Sequence, residues 1–220
     1  MSLGVPPPAR EQLWTTKIAG VILPFDAVVL AGGAAARFGG ADKPGLDLDG
    51  RPLLAHVLDA VAAAHRRVVV APPRDVPPGV LLCRESPPGG GPVAALAAGI
   101  VHTSAPSVVV LAADLPLIGP AVDRLLAGVE AGNAEAAILV DRNGRLNPLA
   151  AAWRRSTLLA ALAREPPRGR AMHRLLPGVP LMLIRDEDGW SLDCDTQADL
   201  DRARTWFAAG RRPGGSWPDA

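Results

Sequence analysis

Cysteine is scarce in this chain of 220 residues: Cys83 and Cys194 stand far apart, with no CxxC spacing and no histidine beside either. That pattern excludes a disulfide framework and a structural zinc site, and it suits a reducing cytoplasm. Net charge is nearly absent, +1 at pH 7, whereas binders of nucleic acid or of membrane surfaces usually carry a large basic excess. Neither partner is expected, and any anion recognition must be local. Long apolar runs are missing too. The run "IAGVILPF" after Lys17 has the length of a signal-peptide core, but Pro24 and Asp26 interrupt it well short of the ~20 apolar residues of a span. No small-residue cleavage site separates it from "DAVVLAGG", so neither export nor membrane insertion is expected.

What is present is core-forming material. Hydrophobic residues make up 49% of the chain, enough at this length for one well-buried core. Short branched runs, "AVVL", "RVVVA", "VLLC", "SVVVLAA" and "AAILV", alternate with helical patterns. Such alternation predicts an α/β fold: a three-layer, Rossmann-like, mostly parallel sheet with helices on both faces. One of those helices can be tested by spacing, since Leu53, Leu54, Val57, Leu58 and Val61 share one arc after Pro52, while His56 and Asp59 fall outside it. His56 thus reads as a rim residue rather than a catalytic one. Residues 1–25 read as an extension, 26–208 as the domain and 209–220 as a disordered tail.

Charge is uneven along the domain. Residues 26–140 hold 8 basic and 11 acidic side chains, whereas 141–174 hold 8 arginines against Asp141 and Glu165. The second segment is either a solvated arginine-rich face or a place for an anionic partner.

The stretch "LAGGAAARFGGADK", residues 30–43, is neither of two familiar glycine loops. A P-loop would need Ser or Thr after its Gly-Lys, but Asp42 precedes Lys43 and Pro44 follows it; the adjacent Gly32 and Gly33 also break the G-x-G-x-x-G spacing. The chemistry still suits phosphate. Gly32 and Gly33, taken with positive φ, would turn the backbone after a buried strand and expose N–H donors. Arg37 adds a planar fork for terminal phosphates, and Lys43, one of only two lysines in the chain, a point charge for the α-phosphate. Asp114 stands where a hydrophobic strand, Val108 to Leu111, ends, and open α/β sheets place their ligands beyond such strand ends. Asp193 and Asp195 alternate with Cys194, which puts both carboxylates on one face. Thr196 and Asp199 have the spacing of a capping box, so the acidic pair also has a purely structural explanation as a helix start.

Taken together, "LAGGAAARFGGADKPGLDLDGRPLLAHV", "RESPPGGGPVAALAAGI", "VVVLAADLPLI", "GRLNPLAAAW", "PPRGRAMHRLL" and "LDCDTQADLDRAR" resemble, in order, the landmarks of the MobA-like nucleotidyltransferases, the molybdenum cofactor guanylyltransferases. The resemblance covers nearly all of 26–208. It implies transfer of GMP from GTP to the phosphate of molybdopterin, with release of pyrophosphate and with Mg²⁺ as cofactor. It further implies nucleotide contacts at Leu30, Ala31, Gly32, Gly33, Arg37, Lys43, Glu85 and Asp114, with Lys43, Arg37 and Asp114 carrying catalysis. Asp114 would hold the metal together with Asp195, or with Asp193 as the alternative. Arg142, Arg145, Asn147, Arg168 and Arg170 would meet the acceptor, and "LDCDT" would be a closing strand. For the base, Gly32 favours GTP, whereas "DCDT" is closer to cytidylyl relatives. CTP, another phosphorylated acceptor, or a non-catalytic nucleotide-binding role are the alternatives. Ala71, Glu85, Ala95 and Asn147 depart from the common pattern.

Overall fold

A computed structural model describes residues 24–32 and 42–209 of the chain. The order of its elements is β1 (Phe25–Leu30), β2 (Asp47–Leu48), β3 (Arg51–Pro52), α1 (Leu53–Ala60), β4 (Arg67–Val70), β5 (Val80–Cys83), α2 (Pro92–Ile100), β6 (Ser107–Ala112), α3 (Gly119–Glu130), β7 (Ala136–Val140), β8 (Leu146–Arg154), α4 (Arg155–Ala163), β9 (Leu181–Arg185) and α5 (Gln197–Ala208), with short 3₁₀ turns at Lys43–Gly45 and Met172–Leu175. The five branched apolar runs form β1, β4, β5, β6 and β7. Among the described residues, seven strands make one sheet in the order β5-β4-β1-β6-β8-β7-β9. The pairs β1–β4, β1–β6, β4–β5 and β7–β9 are parallel, and only β8 runs against its neighbours.

Period-two alternation explains why the runs are almost wholly apolar. Ala27, Val29, Val69, Val109 and Leu111 join the core beneath α1, α3 and α5. Val28, Leu30, Val68, Val70, Val108 and Val110 join the other core, with residues of α2 and α4. A strand covered on both faces has no polar side, so strict polar alternation disappears. Gly99 marks how closely α2 approaches the sheet: a Cβ there would stand 2.6 Å from Val28 Cγ1 and 2.8 Å from Val70 Cγ2. In α1 the expected face is the buried one, Leu53, Leu54, Val57 and Leu58, with Val61 just beyond. Pro52 precedes the helix rather than opening its first turn. His56 is half-buried at the rim, where its Nε2–H donates to the Leu48 carbonyl at 2.9 Å and its ring lies 5.0 Å from that of Phe207.

Two expectations need correction. The closing strand is β9, at Leu181–Arg185, not "LDCDT"; residues 192–195 carry no ladder, and Asp195 N–H donates back to the Asp193 carbonyl at 3.1 Å. Cys194 N–H donates instead to the Asp114 carbonyl at 3.0 Å, so this segment is tied to a loop rather than to a strand. The second concerns Gly32, whose φ is not positive and whose missing Cβ would meet only the Val70 carbonyl oxygen, at 3.9 Å. Glycine there leaves an open, exposed backbone rather than relieving strain. Gly33 and Arg37 lie outside the described residues, as do most of the extension and the tail.

Candidate active site

Strand order locates the site. The chain steps outward from β1 to β4 and β5, then returns to the opposite side of β1 as β6. Beyond the C-terminal ends of β1 and β6 the connections diverge, which is where open α/β sheets form their crevice. Leu30 and Ala112 are register partners, and Ala113 N–H donates to the Leu30 carbonyl at 3.0 Å. Gly32 and Asp114, each two residues past that pair, therefore leave the sheet side by side. Leu30 and Ala31 are buried beneath them.

The short turn at Lys43–Gly45 brings an ammonium to this edge. Gly45 N–H donates to the Asp42 carbonyl at 2.9 Å and closes the turn, while the Asp42 carboxylate occupies the space that a Cβ on Gly45 would need and forms an ion pair with Arg74. Lys43 Nζ then reaches Asp114 Oδ2 and Asp195 Oδ1, each at 2.5 Å. The three side chains are 16%, 23% and 29% exposed. Burial works to lower the Lys43 pKa, but the hydrogen bonds and charges of the two aspartates outweigh it and leave the value raised. Lys43 is therefore a firm cation here. Asp193 points into the neighbouring cleft. Desolvation of its carboxyl end, followed by the charges of Asp195 and Asp114, raises its pKa. Cys194 faces the other way, fully buried, its thiol pushed up to about 12 chiefly by that burial.

The donor set can be tested against Mg²⁺. Two carboxylate oxygens within 2.5 Å of one ammonium lie at most about 5 Å apart, and the ammonium marks the spot between them as one that holds a cation. Among the described residues no three carboxylate, imidazole or thiol groups converge to hold a metal by themselves. Mg²⁺ commonly takes one or two carboxylates and completes its shell with water and substrate phosphates, so Asp114 and Asp195 fit it.

Beside this cluster lies a cleft of about 600 Å³, whose wall includes Pro92, Arg145, Asn147, His173, Ser191 and Asp193. Of the five residues expected to meet an acceptor, Arg145 and Asn147 face it. Arg142 instead donates to the Glu187 carbonyl at 2.7 Å. Arg170 is buried at 8% exposure, donates to the Glu165 carbonyl at 2.9 Å and lies 3.3 Å from its carboxylate. Arg168 is exposed and packs its stem near Gly90. Glu85 accepts from Gly89 N–H at 3.0 Å, shaping the loop before α2. Ala71 and Ala95 are buried, and Ala71 N–H donates to the Cys83 carbonyl. His173 and Ser191 were not singled out from the sequence, although His173 lies within the quoted "PPRGRAMHRLL". The structural explanation of the acidic pair holds in part, because Thr196 and Asp199 do form a reciprocal capping box at α5.

A mostly parallel seven-stranded sheet with helices on both faces is an α/β fold of the nucleotide-diphospho-sugar transferase type. The model of the MobA-like NTP transferase domain matches residues 27–179. The chain belongs to that family. A molybdenum cofactor guanylyltransferase from Shewanella sp. (strain ANA-3) is 33% identical over 125 residues, 54% of this chain and 64% of the relative. A probable molybdenum cofactor guanylyltransferase from Deinococcus radiodurans is 37% identical over 98 residues, 44% of this chain. The chain thus spans less than two thirds of the first relative's length, 64%, and half of the second's. Among solved structures, molybdopterin-guanine dinucleotide biosynthesis protein A from Archaeoglobus fulgidus superposes with a TM-score of 0.66 at 23% identity, over 84% of this chain and 99% of that one. The 2-C-methyl-D-erythritol 4-phosphate cytidylyltransferase from Thermus thermophilus gives 0.64 at 21%, over 82% and 98%. At these identities the likeness concerns the fold. Among the described residues no helix is long and apolar enough to cross a membrane.

Proposed function

We propose that the protein transfers GMP from GTP to the terminal phosphate of molybdopterin, releasing pyrophosphate. The observation that supports this best is the convergence of Asp114 and Asp195 on Lys43 beside a cleft walled by Arg145, Asn147 and His173. In-line attack of an acceptor phosphate oxygen on the α-phosphorus requires no protein nucleophile; positioning and charge neutralisation suffice. Lys43, held between two carboxylates, is available to turn its charge to the α-phosphate, and the open backbone at Gly32 offers its N–H to the nucleotide. Asp114 and Asp195 would hold Mg²⁺, which when bound neutralises the negative charge of the phosphates. Arg145 and Asn147 orient the acceptor from across the cleft, and Arg37, from outside the described residues, adds charge at the terminal phosphates.

Thermal-shift titrations with GTP, CTP, ATP and UTP in Mg²⁺ test the base, since a ligand that binds only the folded state stabilises it. GTP alone should shift the melting temperature strongly. Pyrophosphate release with molybdopterin and GTP tests the reaction. Selective stabilisation by CTP, or no release with either nucleotide, would overturn the proposal. For the acceptor side, Arg145→Ala should raise the molybdopterin KM by about tenfold or more and leave the GTP KM within about twofold.

A further inference from the structure

We infer that Asp186, at the end of β9, is a positioning residue for the metal-holding carboxylate of Asp195. Asp186 is 4% exposed and lies outside the chemistry described above. A buried carboxylate is tolerated only when hydrogen bonds replace its water, and here every assigned donor comes from one place. Trp190 N–H donates to Oδ1 at 2.8 Å, while Ser191 N–H and Ser191 Oγ donate to Oδ2 at 2.7 and 2.5 Å. Asp186 is itself tied to the sheet, because its N–H donates to the Val140 carbonyl at 2.9 Å and continues the β7–β9 ladder. The carboxylate therefore closes residues 186–191 into a loop anchored to the sheet.

What leaves that loop is the catalytic segment. Leu192 N–H donates back to the Gly189 carbonyl, and Cys194 N–H reaches the Asp114 carbonyl at 3.0 Å. Trp190 and Cys194 are both fully buried in the core under α3 and α5, and the Arg124 guanidinium lies 4.4 Å above the Trp190 ring. Asp195 thus arrives at Lys43 from a chain fixed at Trp190, Ser191 and Cys194. Metal sites lose function when their ligands shift by a fraction of an ångström. An amide at 186 has one oxygen where three donors point, so buried N–H groups lose their partner and the loop loosens. Asp186 touches neither Asp195 nor Lys43 in any of these contacts; its effect must pass through the loop.

Because Asp195 holds metal only under the proposed function, this role rests on that proposal, and the test keeps the two apart. The full chain and its Asp186→Asn, Asp195→Asn and double variants are compared in two ways: GMP transfer, and binding of Mn²⁺ alone followed by electron paramagnetic resonance. Asp186→Asn should lower kcat by at least about tenfold, shift the GTP KM by less than about threefold, and weaken Mn²⁺ binding several-fold. In the Asp195→Asn background it should do almost nothing further, since both changes act on one ligand. A milder Ser191→Ala variant, which removes one donor and keeps the carboxylate, should fall between wild type and Asp186→Asn in both readouts. If the wild type transfers no GMP yet Asp186→Asn still weakens Mn²⁺ binding only when Asp195 is present, the proposed function falls and the positioning role stands. Effects of Asp186→Asn that multiply with those of Asp195→Asn, or no effect on Mn²⁺, overturn the positioning role.

Discussion

Replacing Lys43 by methionine keeps the length of the side chain and removes the charge that holds Asp114 and Asp195 together. Each oxygen is 2.5 Å from the same nitrogen, so the two carboxylates are left at most about 5 Å apart. Coulomb repulsion at that separation is about 3 kcal/mol at an effective dielectric of 20 and about 0.8 kcal/mol in bulk water. Burial of the ammonium opposes its charge in the wild type, so relief of that desolvation pulls the net loss toward the lower end. At roughly 2–4 °C per kcal/mol for a chain of this size, Lys43→Met should melt about 2–8 °C below wild type in EDTA. A divalent cation can take over the missing charge. Mg²⁺ should therefore restore most of the loss in Lys43→Met and raise the wild type, whose ammonium competes for the same place, by much less. The Lys43 pKa is raised above its ordinary 10.5, so its contribution is complete below that value and is lost only as pH rises through the higher one. The gap between wild type and variant should accordingly be constant from about pH 6 to 9. Differential scanning fluorimetry in EDTA and in Mg²⁺ reads all of this. Equal melting temperatures in EDTA, or the same Mg²⁺ shift in both proteins, would refute the electrostatic reasoning; the variant should also be at least about a hundredfold slower in the proposed GMP transfer.

Three further outcomes follow from single contacts. Gly99→Ala gains helix propensity but forces a methyl against Val28 and Val70, and overpacking of this kind outweighs the gain by roughly 1–2 kcal/mol; urea denaturation should show the loss, and unchanged stability would mean that the helix moves away freely. Glu130→Gln should stabilise. Desolvation raises the Glu130 pKa, against the pull of Arg154, and its Oε1 is buried without a hydrogen-bond partner, so the carboxylate weakens the fold as pH rises above its ordinary 4.5. The gain in melting temperature should be clear at about pH 7 and vanish near about pH 4, and a gain independent of pH would exclude that cause. Asp114→Ala should stay folded by circular dichroism and lose the proposed GMP transfer, whereas turnover near wild type would rule out its proposed metal role.

Much of the architecture was fixed by local pattern. Five branched apolar runs became the five predicted strands; for β1, β4, β6 and β7 the reason is that a strand buried on both faces needs little beyond continuous β-branched residues and a turn at each end, whereas β5 lies at the sheet edge and leaves Leu81 exposed. Thr196 and Asp199 announced the start of α5 through a hydrogen-bond pair that closes within four residues. The antiparallel course of β8 and the place of β9 beside β7 had no local mark, since pairing partners and register belong to the sheet rather than to the strand.

For the site the division is sharper. Sequence alone singled out Lys43, Asp114 and the pair Asp193 and Asp195 as chemistry-bearing side chains. Only the tertiary structure brought Lys43 together with partners 71 and 152 residues away, and it turned Asp195 to the ammonium and Asp193 to the cleft. It also divided the arginines: Arg145 faces the cleft, while Arg142 and Arg170 are drawn to the backbone carbonyls of Glu187 and Glu165. The nearest acceptor decides where a long cation points, and that acceptor is known only when the chain has folded. Asp186 looked like one more acid in the polar run "RDEDG"; burial and three convergent donors, neither legible in a string of residues, set it apart.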